Sequence, residues 1–116
     1  MTDPIERLQA AQRQFAADRD WDQFHSPKNL ATALSVEAAE LLEVFQWLTE
    51  EQSASLTPKQ ESAVKDELAD VFLYLLRIAD RLGIDLVAAT DAKLARNAEK
   101  YPVNRARGSI AKYTDL

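Results

Sequence analysis

Cysteine is absent from the 116 residues. Disulfides and thiolate metal sites are therefore excluded, and a reducing, intracellular home is permitted. Glycine occurs twice and proline four times, too few for the many turns of a β-sandwich or barrel. No run of about 18 apolar residues without a charge occurs, so no membrane-spanning helix is expected. The opening MTDPIERLQA lacks a basic stretch followed by an apolar core, and no signal peptide is expected there. Basic residues are outnumbered 14 to 19, giving a net charge of −5. That balance argues against non-specific binding of duplex nucleic acid. It leaves room for a small anionic ligand held by local cations. What remains is 47% hydrophobic and 28% charged, the composition of a folded chain. The length predicts one domain, residues 1–116, with an irregular tail over 103–116.

Proline and glycine mark out four helical segments. Asp3-Pro4-Ile5-Glu6 has the spacing of a capping box, and Ile5, Leu8, Ala11 and Phe15 follow at helical intervals. A loop from Asp20 to His25 carries Trp21, Phe24 and His25. Ser26-Pro27 starts the second segment. From Leu30 to Leu48 its only charges are Glu37, Glu40 and Glu43. A helix apolar nearly all round belongs in a core. Glu51 to Leu56 reads as a polar loop. Thr57-Pro58-Lys59-Gln60 opens the third segment, whose stripe of Leu68, Val71, Phe72, Leu75, Leu76, Ala79 and Leu82 ends at Gly83. Asp85 caps a fourth segment that stops before Tyr101-Pro102. The expected fold is all-α and bundle-like, with two long central helices running antiparallel and two shorter ones. Apolar residues on more than one face of the central pair predict a homo-oligomer.

Glu37 and Glu40 stand three apart on the second segment, as do Glu67 and Asp70 on the third. Positions three apart share a helix face. Both pairs are set in apolar sequence, so four carboxylates converge if the helices pack face to face. Four such acids without counter-charge would be strongly unfavourable. No basic residue lies between Leu30 and Leu48. Divalent cations supply the missing charge, and an all-oxygen set suits Mg²⁺ or Mn²⁺ rather than zinc. A di-iron bundle needs Glu-x-x-His on two helices, whereas the single histidine, His25, lies outside both. The bland alternative is a solvated acidic stripe. Glu43 reads as an exposed acid.

Around these carboxylates stand Asp20-Trp21-Asp22-Gln23-Phe24-His25, Pro27, Asn29-Leu30, Phe45-Gln46-Trp47, Lys93, Asn97, Tyr101-Pro102 and Lys112-Tyr113-Thr114. The whole resembles the all-α nucleoside triphosphate pyrophosphatases of the MazG type, in particular their dCTP pyrophosphatase subgroup. The likeness runs from about Leu8 to Leu116. It implies hydrolysis of a (deoxy)nucleoside triphosphate, dCTP or a modified dCTP, to monophosphate and pyrophosphate. It implies that Glu37, Glu40, Glu67 and Asp70 are the catalytic and metal-holding residues, with Mg²⁺ bound and Mn²⁺ as a substitute. By the same resemblance Trp21, His25 and Trp47 form the base pocket and Tyr74 contacts the nucleotide. Lys93, Asn97 and Tyr101 approach the phosphates and sugar. A cytoplasmic homotetramer, built as a dimer of dimers, is implied too, with no membrane and no nucleic-acid polymer as partner.

From residue type alone, Lys93 reads as a surface lysine. Tyr74 reads equally as a core tyrosine, and Trp21, His25 and Trp47 as cover for a core edge. One departure from the subgroup stands out. Its mammalian members carry a histidine where this chain has Gln12. Glutamine donates and accepts but never becomes cationic, so base preference stays open between dCTP and, for example, dUTP. The competing function class is a non-catalytic helical module that binds a partner through its apolar faces.

Overall fold

The computed structural model describes residues 3–116. Along them run helices α1 (Pro4–Asp18), α2 (Pro27–Phe45), α3 (Glu50–Ala54), α4 (Pro58–Leu82), α5 (Leu86–Lys100) and α6 (Val103–Ala106). Short 3₁₀ turns cover Asp22–Phe24 and Tyr113–Asp115, and no strand occurs among the described residues.

The starts follow from local chemistry. The Ser26 hydroxyl accepts from the Asn29 amide at 3.1 Å, and the Asp85 carboxylate accepts from Ala88 at 3.0 Å. Thr57 and Gln60 form a reciprocal capping box at 3.2 and 2.9 Å. Gly83 ends α4 with φ at 67°, a left-handed conformation that glycine adopts without strain. Two expectations need correction. The box from Asp3 and Glu6 does not form, because the Asp3 carboxylate accepts from Ile5 instead, at 3.4 Å. The polar loop over 51–56 is mostly helix α3. Thr49 and Gln52 cap each other at 3.0 and 3.1 Å, so a new helix starts there and α2 stops at Phe45.

The chain divides into two compact units, one ending at Gly83 and one spanning Ile84–Leu116. In the first, α2 lies along α4, and α1 packs on α4 as well. Ala16, Leu30, Leu76 and Ala79 form the buried apolar centre. The α1 contact is partly polar. Gln9 and Gln12 donate from Nε2 to the carbonyls of Leu76 and Leu73, at 3.0 and 2.9 Å. Leu68, Phe72, Leu75 and Leu82 remain exposed on α4. In the second unit the tail holds two short helical turns. Tyr113 packs edge-on to Tyr101 with ring centres 5.9 Å apart, and the Lys100 Nζ lies 4.9 Å from the Tyr113 ring.

Candidate functional site

Glu37 and Glu40 lie on α2; Glu67 and Asp70 lie on α4. Packing of α2 along α4 brings a carboxylate oxygen from each of Glu37, Glu67 and Asp70 within 4.8 Å of one another. Glu40 lies outside that closest trio, yet its carboxylate is close enough to repel both Glu37 and Glu67. Burial, then the neighbouring carboxyl of Glu40 and the charges of Asp70 and Glu67, push the Glu37 carboxyl up to about 7. Burial and the charge of Glu40 likewise raise Glu67. Every charge acting on Glu37 is negative.

The donor set fits a hard divalent cation on an independent observation. Oε2 of Glu37 and Oε2 of Glu67 are buried and have no hydrogen-bond partner. A buried acceptor left unpaired costs free energy. Here the unpaired atoms are carboxylate oxygens, the ligands that Mg²⁺ and Mn²⁺ favour.

Next to the cluster lies a cavity of about 330 Å³. Its lining includes Gln12, Phe15, Trp21, His25, Asp70 and Tyr74. Asp70 thus belongs to the cavity and to the carboxylate cluster alike. Tyr74 sits on α4 four residues after Asp70, and burial and the nearby acids raise its pKa. Trp21 stands edge-on between Phe15, at 5.7 Å, and His25, at 6.2 Å. The Gln12 amide nitrogen is held by the Leu73 carbonyl, which leaves Oε1 buried without a partner. Cavity and cluster together can hold an aromatic group at one end and a metal-bound anion at the other.

The structure does not bring every expected residue to this place. Trp47 follows α2, is 86% exposed and does not line the cavity. Glu43 is exposed, as expected. Lys93 and Asn97 share one face of α5, where with Thr90 and Leu94 they line a groove of about 310 Å³. Tyr101 caps the end of α5. Arg77 escaped the sequence reading. It lines the same cavity, is only 3% exposed and holds Asp22 and His25. The available signal was a charge at i+3 from Tyr74 and i+7 from Asp70, inside an apolar stretch.

Comparison with known proteins points one way. A family model described as MazG-like matches residues 32–116. The dCTP pyrophosphatase 1 of Mus musculus is 45% identical over 114 residues, 97% of this chain and 67% of the mouse protein. Its Homo sapiens counterpart is 41% identical with the same two coverages. The crystal structure of a pyrophosphatase from Archaeoglobus fulgidus superposes with a TM-score of 0.82 at 37% identity. That match covers 88% of this chain and 95% of the archaeal one.

Proposed function

The chain belongs to the MazG-like family, and on that premise we propose that it is a nucleoside triphosphate pyrophosphohydrolase acting on dCTP or a modified dCTP. The products are the monophosphate and pyrophosphate, and the task is sanitation of the cytoplasmic nucleotide pool. One observation carries this reading. Unpartnered, buried carboxylate oxygens of Glu37 and Glu67 lie beside a cavity walled by Trp21, and Asp70 is common to both.

Glu37, Glu40, Glu67 and Asp70 would hold Mg²⁺, for which Mn²⁺ would substitute. When bound, the ion neutralises triphosphate charge and makes a nearby water more acidic. One of the four carboxylates takes the proton from the attacking water. Trp21 offers its face or edge to the base, and Tyr74 flanks the cavity on the metal side. Oε1 of Gln12 is an acceptor in want of a donor, and the amino group of cytosine supplies one. Lys93, Asn97 and Tyr101 stand at intervals of four along α5 and its cap, and the family likeness is what assigns them to phosphate and sugar. The apolar faces left open on α4 support a homo-oligomer, a tetramer built as a dimer of dimers.

The deciding experiment is product analysis with Mg²⁺ and a panel of dCTP, 5-methyl-dCTP, dUTP, dTTP, dATP, dGTP and CTP. Monophosphate plus pyrophosphate, strongest from the cytosine deoxynucleotides and lost on adding EDTA or in Glu37→Ala, is expected. No turnover on any of them by a folded protein that binds Mg²⁺ would overturn the proposal and favour the partner-binding module.

A further inference from the structure

We infer that Arg77 is a positioning residue: it holds His25 as the neutral Nε2–H tautomer, a hydrogen-bond donor in the wall of the base cavity. The inference rests on the reading of that cavity as the base pocket. The geometry starts with a guanidinium, which has donors only. Its Nε lies 3.1 Å from Nδ1 of His25. An N–H can point at that ring atom only if the atom is an unprotonated nitrogen. The ring proton therefore sits on Nε2. Turning the ring over would set a C–H against the guanidinium and leave a buried donor unpaired.

The arginine is itself fixed. Nη2 donates to Oδ1 of Asp22 at 2.6 Å, and Nη1 lies 3.7 Å from Oδ2 of Asp80. The same Asp80 oxygen accepts from Nε of Arg13 at 2.8 Å. The backbone of His25 is tied down as well, since Nε of Arg81 donates to its carbonyl at 3.1 Å. One face of the ring has Trp21 edge-on at 6.2 Å. A charge that is 3% exposed in a cavity wall is costly to bury. Three polar partners offset that cost, and one of them is the histidine that the cavity presents. Burial, with Arg77 next in weight and Arg81 adding to it, also keeps the imidazole neutral against the weaker pull of Asp22.

A fixed donor makes a definite demand on the base. It accepts a pyrimidine edge that presents O2 or N3 as an acceptor, and it rejects an edge with an N–H at that point. The other tautomer would present an unprotonated Nε2, an acceptor, and reverse that choice.

The test is the tautomer of His25 read by long-range ¹H–¹⁵N correlation at pH 8, in the wild-type protein and in Arg77→Lys. Arg13→Gln serves as a control, since it removes the other arginine held by Asp80 without touching the ring. We expect a single Nε2–H tautomer in wild type and in Arg13→Gln. In Arg77→Lys we expect an averaged pair of tautomers and a KM for the best triphosphate raised about tenfold, with kcat changed less than about threefold. A wild-type His25 that is Nδ1–H or averaged would overturn the inference, and needs no variant to fold. So would an Arg77→Lys protein with unchanged tautomer and KM. Absence of turnover on every triphosphate beside a fixed Nε2–H ring would instead sink the hydrolase reading.

Discussion

Glu37 is the residue whose physics is easiest to test. Its folded pKa of about 7 stands above the ordinary carboxylate value of 4.5. The metal-free folded chain therefore binds a proton there that the unfolded chain releases. Linkage then fixes the sign. Stability from this group is fully present below about pH 4.5 and is lost as pH rises through about 7. His25 works the other way, because its pKa is lowered; its contribution is lost as pH falls below 6.5. The difference between wild type and Glu37→Gln isolates the first effect. Thermal melts in EDTA are expected to show wild type losing ground to Glu37→Gln from pH 5 to pH 7.5. Saturating Mg²⁺ is expected to reverse that order at pH 7.5, since the ion compensates the acids only where they are charged. Equal slopes for the two proteins would remove the raised carboxyl from the account. A second consequence concerns the metal. Ligands must be deprotonated to bind, so Mg²⁺ affinity from calorimetric titration is expected to fall steadily below pH 7. Glu37→Ala, which deletes one donor of the set, is expected to lower turnover by about a hundredfold or more at fixed Mg²⁺.

At the scale of elements, helix starts were legible and helix ends less so. Ser26-Pro27, Thr57-Pro58 and Asp85 announce their helices, because a cap needs only a side chain and the three residues after it. The stop of α2 at Phe45 was hidden. Gln46, Trp47 and Leu48 tolerate a helix, and what ends it is the competing box of Thr49 and Gln52 downstream. The carboxylate pairs were readable for the same reason as the caps: spacing on one helix is local information. Arg77 was not. Its partners Asp22 and His25 lie more than 50 residues away in sequence, and only packing of the loop on α4 joins them. Likewise the groups that line the cavity with Gln12 come from three separate stretches. Caps also make a clean stability prediction. Thr57→Ala removes one side of the α4 box and is expected to cost about 1 kcal/mol in urea unfolding. It should leave kcat on the best triphosphate unaltered, because α4 positions its acids ten and thirteen residues further along, at Glu67 and Asp70.

For the whole molecule the unresolved tension is its apolar surface. Among the described residues the fully buried large side chains are Leu30 and Leu76. Meanwhile Leu68, Phe72, Leu75 and Leu82 stay between 39% and 51% exposed along α4. Their intervals of four, three and seven put all four on one stripe, the pattern of a helix seam. A stripe of that kind is a poor surface for a free monomer, and on the proposed oligomeric reading a second copy of the chain would cover it with its own seam. Self-association through α4 would also stiffen the helix that carries Glu67, Asp70, Tyr74 and Arg77, linking assembly to the site. Burying each leucine of the seam contributes about 2 kcal/mol, and a charge placed there adds a desolvation penalty. Sedimentation velocity is expected to find the wild type as a tetramer, and Leu75→Glu as a smaller species at the same concentration. Turnover of Leu75→Glu is expected to fall with the loss of assembly and to recover as protein concentration is raised. A wild-type chain that sediments as a monomer at micromolar concentration and still turns over its substrate would show that the seam serves no second copy.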